Sequence, residues 1–187
     1  MSRKIETPEI DSIIITERIS QSSINSLIKE LNKQVRVIEE FEKEVQSNFK
    51  GKFKENINIY ISSYGGEVYA GLGGYDLIKS TKINTTTIAL GPLMSAATLV
   101  FLGGKKRICY EHTHFMFHEL TMFMWDKLEN LKDDIKQGDR LMQDIENIVC
   151  TNTAITRKQF KDMCKSKKDW YISAKEAKKL RIVNEII

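Results

Sequence analysis

The chain has 187 residues, 41% of them hydrophobic and 29% charged, with a formal net charge of +4. This suits one domain of ordinary size with a real core and a solvated surface. The charges interleave, as over 132–140 and 175–179, which excludes the clustered lysines and arginines of a nucleic-acid footprint and leaves only a weak basic patch at Lys165, Lys167 and Lys168.

Residues 1–12 are polar and read as a flexible arm ahead of a single domain spanning 13–187. Ile13–Ile15 is a short β-branched run, so a buried strand is expected. Ser22 or Ser23 then caps a helix whose apolar residues, Ile24, Leu27, Leu31, Val35, Ile38, Val45 and Phe49, recur at helical spacing. Residues 48–56 form a polar connector. Ile57, Ile59 and Ile61 alternate with polar neighbours, which predicts a strand ending in a turn over 62–66. Val68–Ser80 reads as a helix. Its small residues, Ala70, Gly71, Gly73 and Gly74, allow close approach of a neighbouring backbone. Thr85–Leu90 is a strand that Gly91 and Pro92 break. Ser95–Leu102 is an apolar helix ending at Gly103 and Gly104. Arg107–Tyr110 and Phe115–Phe117 are short strands. Leu128, Leu131, Ile135, Met142, Ile145 and Val149 hold a 3-4 spacing with a gap at Gly138, which predicts a long helix with an apolar stripe. Thr156 caps a short helix through Lys165. Trp170–Ile172 is a strand, and Ser173 with Glu176 forms a capping box that opens the last helix. Strands alternating with helices argue for α/β layers.

No stretch is apolar enough for a signal peptide or a membrane span; the longest, Leu93–Leu102, is too short. Cys109, Cys150 and Cys164 are odd in number and make no CxxC pair, which fits reduced thiols in the cytoplasm. His112 and His114 form an HxH pair without companion ligands at metal spacing, so no zinc site is expected.

Three features carry chemistry. Gly65 and Gly66 follow a strand, where glycines permit positive φ and leave backbone N–H groups uncovered, as an oxyanion hole needs. A plain turn explains them equally well. Ser95 lies between a strand and a helix, where the helix N-terminus favours developing negative charge; an ordinary N-cap serine is the simpler alternative. His118 ends an apolar strand and has the chemistry to take a proton from a serine and return it to a leaving amine; a half-buried structural histidine is the bland alternative. Such chemistry also wants a carboxylate to orient the imidazole, and the 25 acidic residues offer no choice among themselves.

Taken in order, these segments resemble the ClpP-type family of serine peptidases. Residues 59–71 are similar to the family's YINSPGG strand and loop with its small-residue helix, and Tyr75 and Asp76 match its YD pair. Residues 91–96 are similar to the GQAASM segment and put Ser95 on the catalytic serine. Residues 115–119 are similar to the MIHQP segment and put His118 on the catalytic histidine. Residues 169–177 are similar to the D-x-F-x-S-A-x-E-A segment and put Asp169 on the triad acid. The likeness covers about 13–187.

The resemblance implies an α/β fold, a ClpP/crotonase-like spiral of ββα units, with a protruding handle helix over about 127–149. It implies a serine endopeptidase acting on peptides and unfolded proteins inside a chamber of heptameric rings stacked in pairs, with a Clp-type ATPase as partner. Such peptidase chemistry needs no metal or other cofactor. The oxyanion hole would be the Gly66 and Ala96 N–H groups, and substrate would pair with Gly65, Glu67 and Val68 on one side and Leu120 on the other. The sequence departs from the family at Tyr64, at Pro92, Leu93 and Met94 before the serine, and at Glu119 and Leu120 after the histidine, where the family has Gln-Pro. It departs again in the apolar run 121–125, at Lys167 and Lys168, and at Arg181, where a Gly usually ends the last helix. These departures keep two other classes in view: a catalytically silent structural subunit that co-assembles with an active relative, and a crotonase-type acyl-CoA enzyme that would not need Ser95.

Overall fold

The computed structural model describes residues 8–48 and 55–187. Residues 1–7 of the expected arm, most of the 48–56 connector and Phe49 lie outside them. Within the arm, Ile10 packs partly against the core, and Asp11 both donates its N–H to Gln34 and pairs with Lys33.

Strand β1 (Ile13–Ile15) leads into helix α1 (Gln21–Asn48). The cap of α1 is Ser20, not Ser22 or Ser23. Ser20 and Ser23 exchange side-chain-to-backbone hydrogen bonds at 2.9 and 3.3 Å, a reciprocal arrangement that satisfies the first turn. Strand β2 (Asn56–Ser63) buries Ile57, Ile59 and Ile61 completely, as the alternation requires. Helix α2 (Val68–Ser80) then crosses back to strand β3 (Asn84–Met94).

Strand β3 does not stop at Gly91. It pairs β2 in parallel from Asn84 through Ala89, and the register shifts before Ser63 meets Leu93. Gly91, at φ 62°, takes up that irregularity. The strand also changes partner there. Residues 86–89 pair with β4 (Lys106–Cys109), and 92–94 pair with β5 (His114–Phe117). One strand thus serves two neighbours, and its far end carries Met94 to the threshold of Ser95.

Helix α3 (Ala96–Leu102) is buried along its length. It sits against α2 because two glycines leave room. A Cβ at Gly71 would fall 3.0 Å from the Ala96 side chain, and one at Gly74 would fall 2.9 Å from Val100 and Ile24. Gly73 faces open space. Helix α4 (Leu128–Asn152) and helix α5 (Arg157–Ser166) cover the site from the other side, and Thr156 caps α5 through a full capping box. Strand β6 (Trp170–Ser173) pairs antiparallel with β5. Helix α6 (Ala174–Lys179) opens on the Ser173–Glu176 capping box, and a short strand β7 (Glu185–Ile186), without a signal in the sequence, closes on β4. The fold is therefore mixed α/β with a mainly parallel sheet in the order β1-β2-β3-β4-β7, from which β5 and β6 branch.

The stripe on α4 divides in two. Val149 is buried and Leu131, Met142 and Ile145 are half-buried, whereas Leu128 and Ile135 are exposed, as are Phe123 and Trp125 just before the helix. The gap at Gly138 is a notch: a Cβ there would lie 2.8 Å from the sulfur of Met122. Behind β4, Arg107 is buried and donates to the carbonyl oxygens of Asn152, Arg181 and Ile182. Burial lowers its pKa, with Tyr75 opposing the shift.

Candidate active site

Ser95 follows β3 directly and precedes the first residue of α3. Its backbone has φ 53° and ψ −128°, a conformation that costs a non-glycine residue about 1–3 kcal/mol. Three contacts hold it there. Its N–H donates to Met116 at 2.9 Å, and its carbonyl oxygen accepts from the Thr98 N–H at 2.9 Å and hydroxyl at 2.6 Å. Ser95 occupies the N-cap position, yet its side chain makes no cap hydrogen bond. The Oγ instead lies 2.7 Å from His118 Nε2. The simple N-cap account of this serine therefore fails.

Gly65 and Gly66 sit at φ 97° and 157°. A Cβ on Gly65 would lie 2.6 Å from the Met94 carbonyl oxygen and 2.7 Å from Ser95 Cβ, so only glycine lets the loop pass beneath the serine. A Cβ on Gly66 would collide with the Ile19 carbonyl. Ile19 takes the groups on either side of Gly66: its N–H donates to Gly65 and its carbonyl accepts from Glu67. Successive backbone groups of an extended run point to opposite sides, which turns the Gly66 N–H away from Ile19. Ala96 is the first residue of α3, and N–H groups of a first helical turn have no partner within the helix.

A cavity of about 150 Å³ opens at this point, lined by Ser95, Ala96, Gly66, Val68, His118 and Leu120 among the expected residues. Gly65 lies buried behind it, and the Glu67 side chain is exposed. The sequence did not single out Thr98, Leu99, Phe117, Thr121, Ile145 and Phe160, which complete the walls. For Ile145 and Phe160 a signal existed in the apolar stripes of α4 and α5, but nothing in a stripe tells which of its residues faces a cavity.

Asp169 stands apart from the other two. It is exposed, and its carboxylate accepts from the Tyr171 hydroxyl at a long 3.5 Å. It shares a second cavity, of about 250 Å³, with His118, Glu119, Lys167 and Lys168. Among the described residues no hydrogen bond joins it to the imidazole. Nor do the described residues include a cluster of His, Cys, Asp or Glu able to hold a metal, and no described helix is long and apolar enough to cross a membrane.

The family model for Clp protease matches residues 10–187. The chain belongs to the Clp protease family. It is 27% identical over 135 residues to an ATP-dependent Clp protease proteolytic subunit of Bacteroides fragilis, covering 71% of this chain and 64% of that relative. It is 28% identical over 137 residues to the subunit of the same name from Deinococcus radiodurans, covering 72% of this chain and 66% of that one. The chain therefore spans about two thirds of the curated relatives' length. Among solved structures, an asparagine-to-aspartate mutant of ClpP1 from Listeria monocytogenes is similar at a TM-score of 0.75 and 26% identity, covering 94% of this chain and 90% of that one. This Clp protease family member is divergent in sequence, and its fold is that of the family.

Proposed function

We propose that this chain is a serine endopeptidase in which Ser95 attacks a peptide carbonyl, His118 moves the proton and Asp169 orients the imidazole. The observation that carries the reading is the 2.7 Å contact between Ser95 Oγ and His118 Nε2, made by a serine that its helix does not use as a cap. With Nδ1 protonated, Nε2 accepts the hydroxyl proton as Oγ bonds to the carbonyl carbon, and later delivers it to the leaving amine. Gly66 and Ala96 line the cavity, and in this reading their N–H groups donate to the carbonyl oxygen as it gains charge, each such donor being worth about 3–4 kcal/mol to the transition state. Asp169 lines one cavity with His118, and the mechanism requires its carboxylate to turn from Tyr171 to the imidazole.

The substrate is an extended peptide or unfolded protein, held by backbone pairing between the Gly66–Val68 run and the Leu120 segment. Leu99, Ile145 and Phe160 make an apolar recess for the residue before the scissile bond. The exposed apolar residues Phe123, Trp125, Leu128 and Ile135 support self-assembly into rings, in pairs, around a chamber. An unfolding ATPase as partner and a cytoplasmic location belong to the same reading. They draw on the ATP-dependent relatives and on three free cysteines.

A second reading, a silent subunit assembled with an active relative, is favoured by one observation: Asp169 is bonded to Tyr171 and not to His118. Reaction of the assembled protein with a serine-directed fluorophosphonate separates the two. Labelling of Ser95 is expected; rings that take up no label would leave the structural role.

A further inference from the structure

We propose that Met142 is a positioning residue for the substrate wall, holding the segment after His118 onto α4; this rests on the peptidase reading above. The Leu120 N–H donates to the Met142 sulfur at 3.3 Å. Leu120 and Thr121 line the cavity that holds Ser95, and residues 118–125 form no strand or helix of their own. This wall therefore depends on contacts made from outside it. Two residues further on, Met122 fills the notch at Gly138.

The spacing of these two contacts agrees with a single docking. Positions 138 and 142 are four apart on α4, so they lie on one face and about 6 Å apart along its axis. Positions 120 and 122 are two apart, and an extended run advances about 6.6 Å over that distance. The segment thus runs antiparallel to α4 with a contact at each end. Ile145, one turn beyond Met142 on α4, lines the same cavity. The helix supplies both the recess and the tether of the facing wall, so their separation, which sets the width of the cleft, is fixed by one rigid element.

The donor and the acceptor also belong together chemically. Position 120 carries an N–H that a proline would lack, and a half-buried amide left unpaired beside the cleft is unfavourable. The thioether absorbs it. Met142→Leu keeps the volume and removes the acceptor.

The test uses the full chain in its assembled form. Hydrogen exchange of the peptide covering 118–124 is compared between wild type and Met142→Leu, with kcat and KM for a fluorogenic peptide measured on both. Faster exchange in that segment is expected, with KM raised several-fold and kcat within about twofold, because uniform binding is lost while the Ser95–His118 pair is untouched. Repeating Met142→Leu on a Leu120→Pro background, where no donor exists, is expected to leave KM where Leu120→Pro alone puts it. Unchanged exchange in Met142→Leu, or the same KM increase on both backgrounds, overturns the proposal. If wild type cleaves no peptide, the peptidase reading falls, and the exchange comparison still decides whether Met142 holds the segment.

Discussion

The Asp169 carboxylate meets the Tyr171 hydroxyl at 3.5 Å and faces the same cavity as His118 without bonding to it. In the proposed mechanism this contact is broken when the triad forms. Asp169→Asn is then expected to lower kcat by about a hundredfold to ten-thousandfold by favouring the wrong imidazole tautomer. Tyr171→Phe frees the carboxylate and is expected to keep or raise kcat. Steady-state kinetics on both variants, with native mass recorded, check this. Wild-type activity in Asp169→Asn would remove Asp169 from the mechanism.

The recess formed by Leu99, Ile145 and Phe160 predicts selectivity at the residue before the cut. Peptides with Leu or Met there are expected to exceed those with Asp or Lys by about tenfold or more in kcat/KM, because a charge in an apolar recess is left unpaired. Ile145→Phe reduces the space and is expected to shift preference toward Ala. A panel of fluorogenic peptides varying only that residue measures it.

The shape of the molecule was largely legible from periodicity. The alternation of Ile57, Ile59 and Ile61 marked a buried face as well as a strand, whereas the 3-4 spacing on α4 marked the helix without telling which half of its stripe is covered. The Gly91–Pro92 pair misled, because an irregularity inside a strand and the end of a strand carry the same local signal; pairing with two different neighbours, β4 and β5, carries β3 onward. Strand β7 was invisible because its pairing with β4 depends on contacts distant in sequence. At the site, Ser95, His118, Gly66 and Ala96 were readable from motif order. Thr98 and Phe160 were not, since an amphipathic pattern marks a buried face without marking the cavity behind it.

Arg181 has φ 55°, a left-handed conformation unfavourable for a residue with a Cβ. Its side chain is exposed, and the group that Arg107 uses is its carbonyl. Arg181→Gly keeps that carbonyl and relieves the strain. A gain of about 0.5–1 kcal/mol is expected, seen as a higher urea midpoint with unchanged m-value. A lower midpoint would show that the arginine side chain contributes more than its backbone costs.

Cys109 is fully buried, and burial pushes its thiol up to about 11. At pH 8 the thiolate is then about one part in a thousand. Iodoacetamide is expected to leave Cys109 unmodified in the folded protein and to react with it after denaturation. Cys150 and Cys164, half-buried and raised for the same reason, are expected to react slowly. Peptide mapping by mass spectrometry reads all three.

Everything proposed for the site depends on Ser95 Oγ acting as the nucleophile. This is tested by kcat/KM for a short fluorogenic peptide in wild type and Ser95→Ala, with native mass recorded on both. A fall of about a thousandfold or more with assembly unchanged is expected. Hydrolysis that persists in Ser95→Ala at the wild-type rate would rule the serine out as nucleophile.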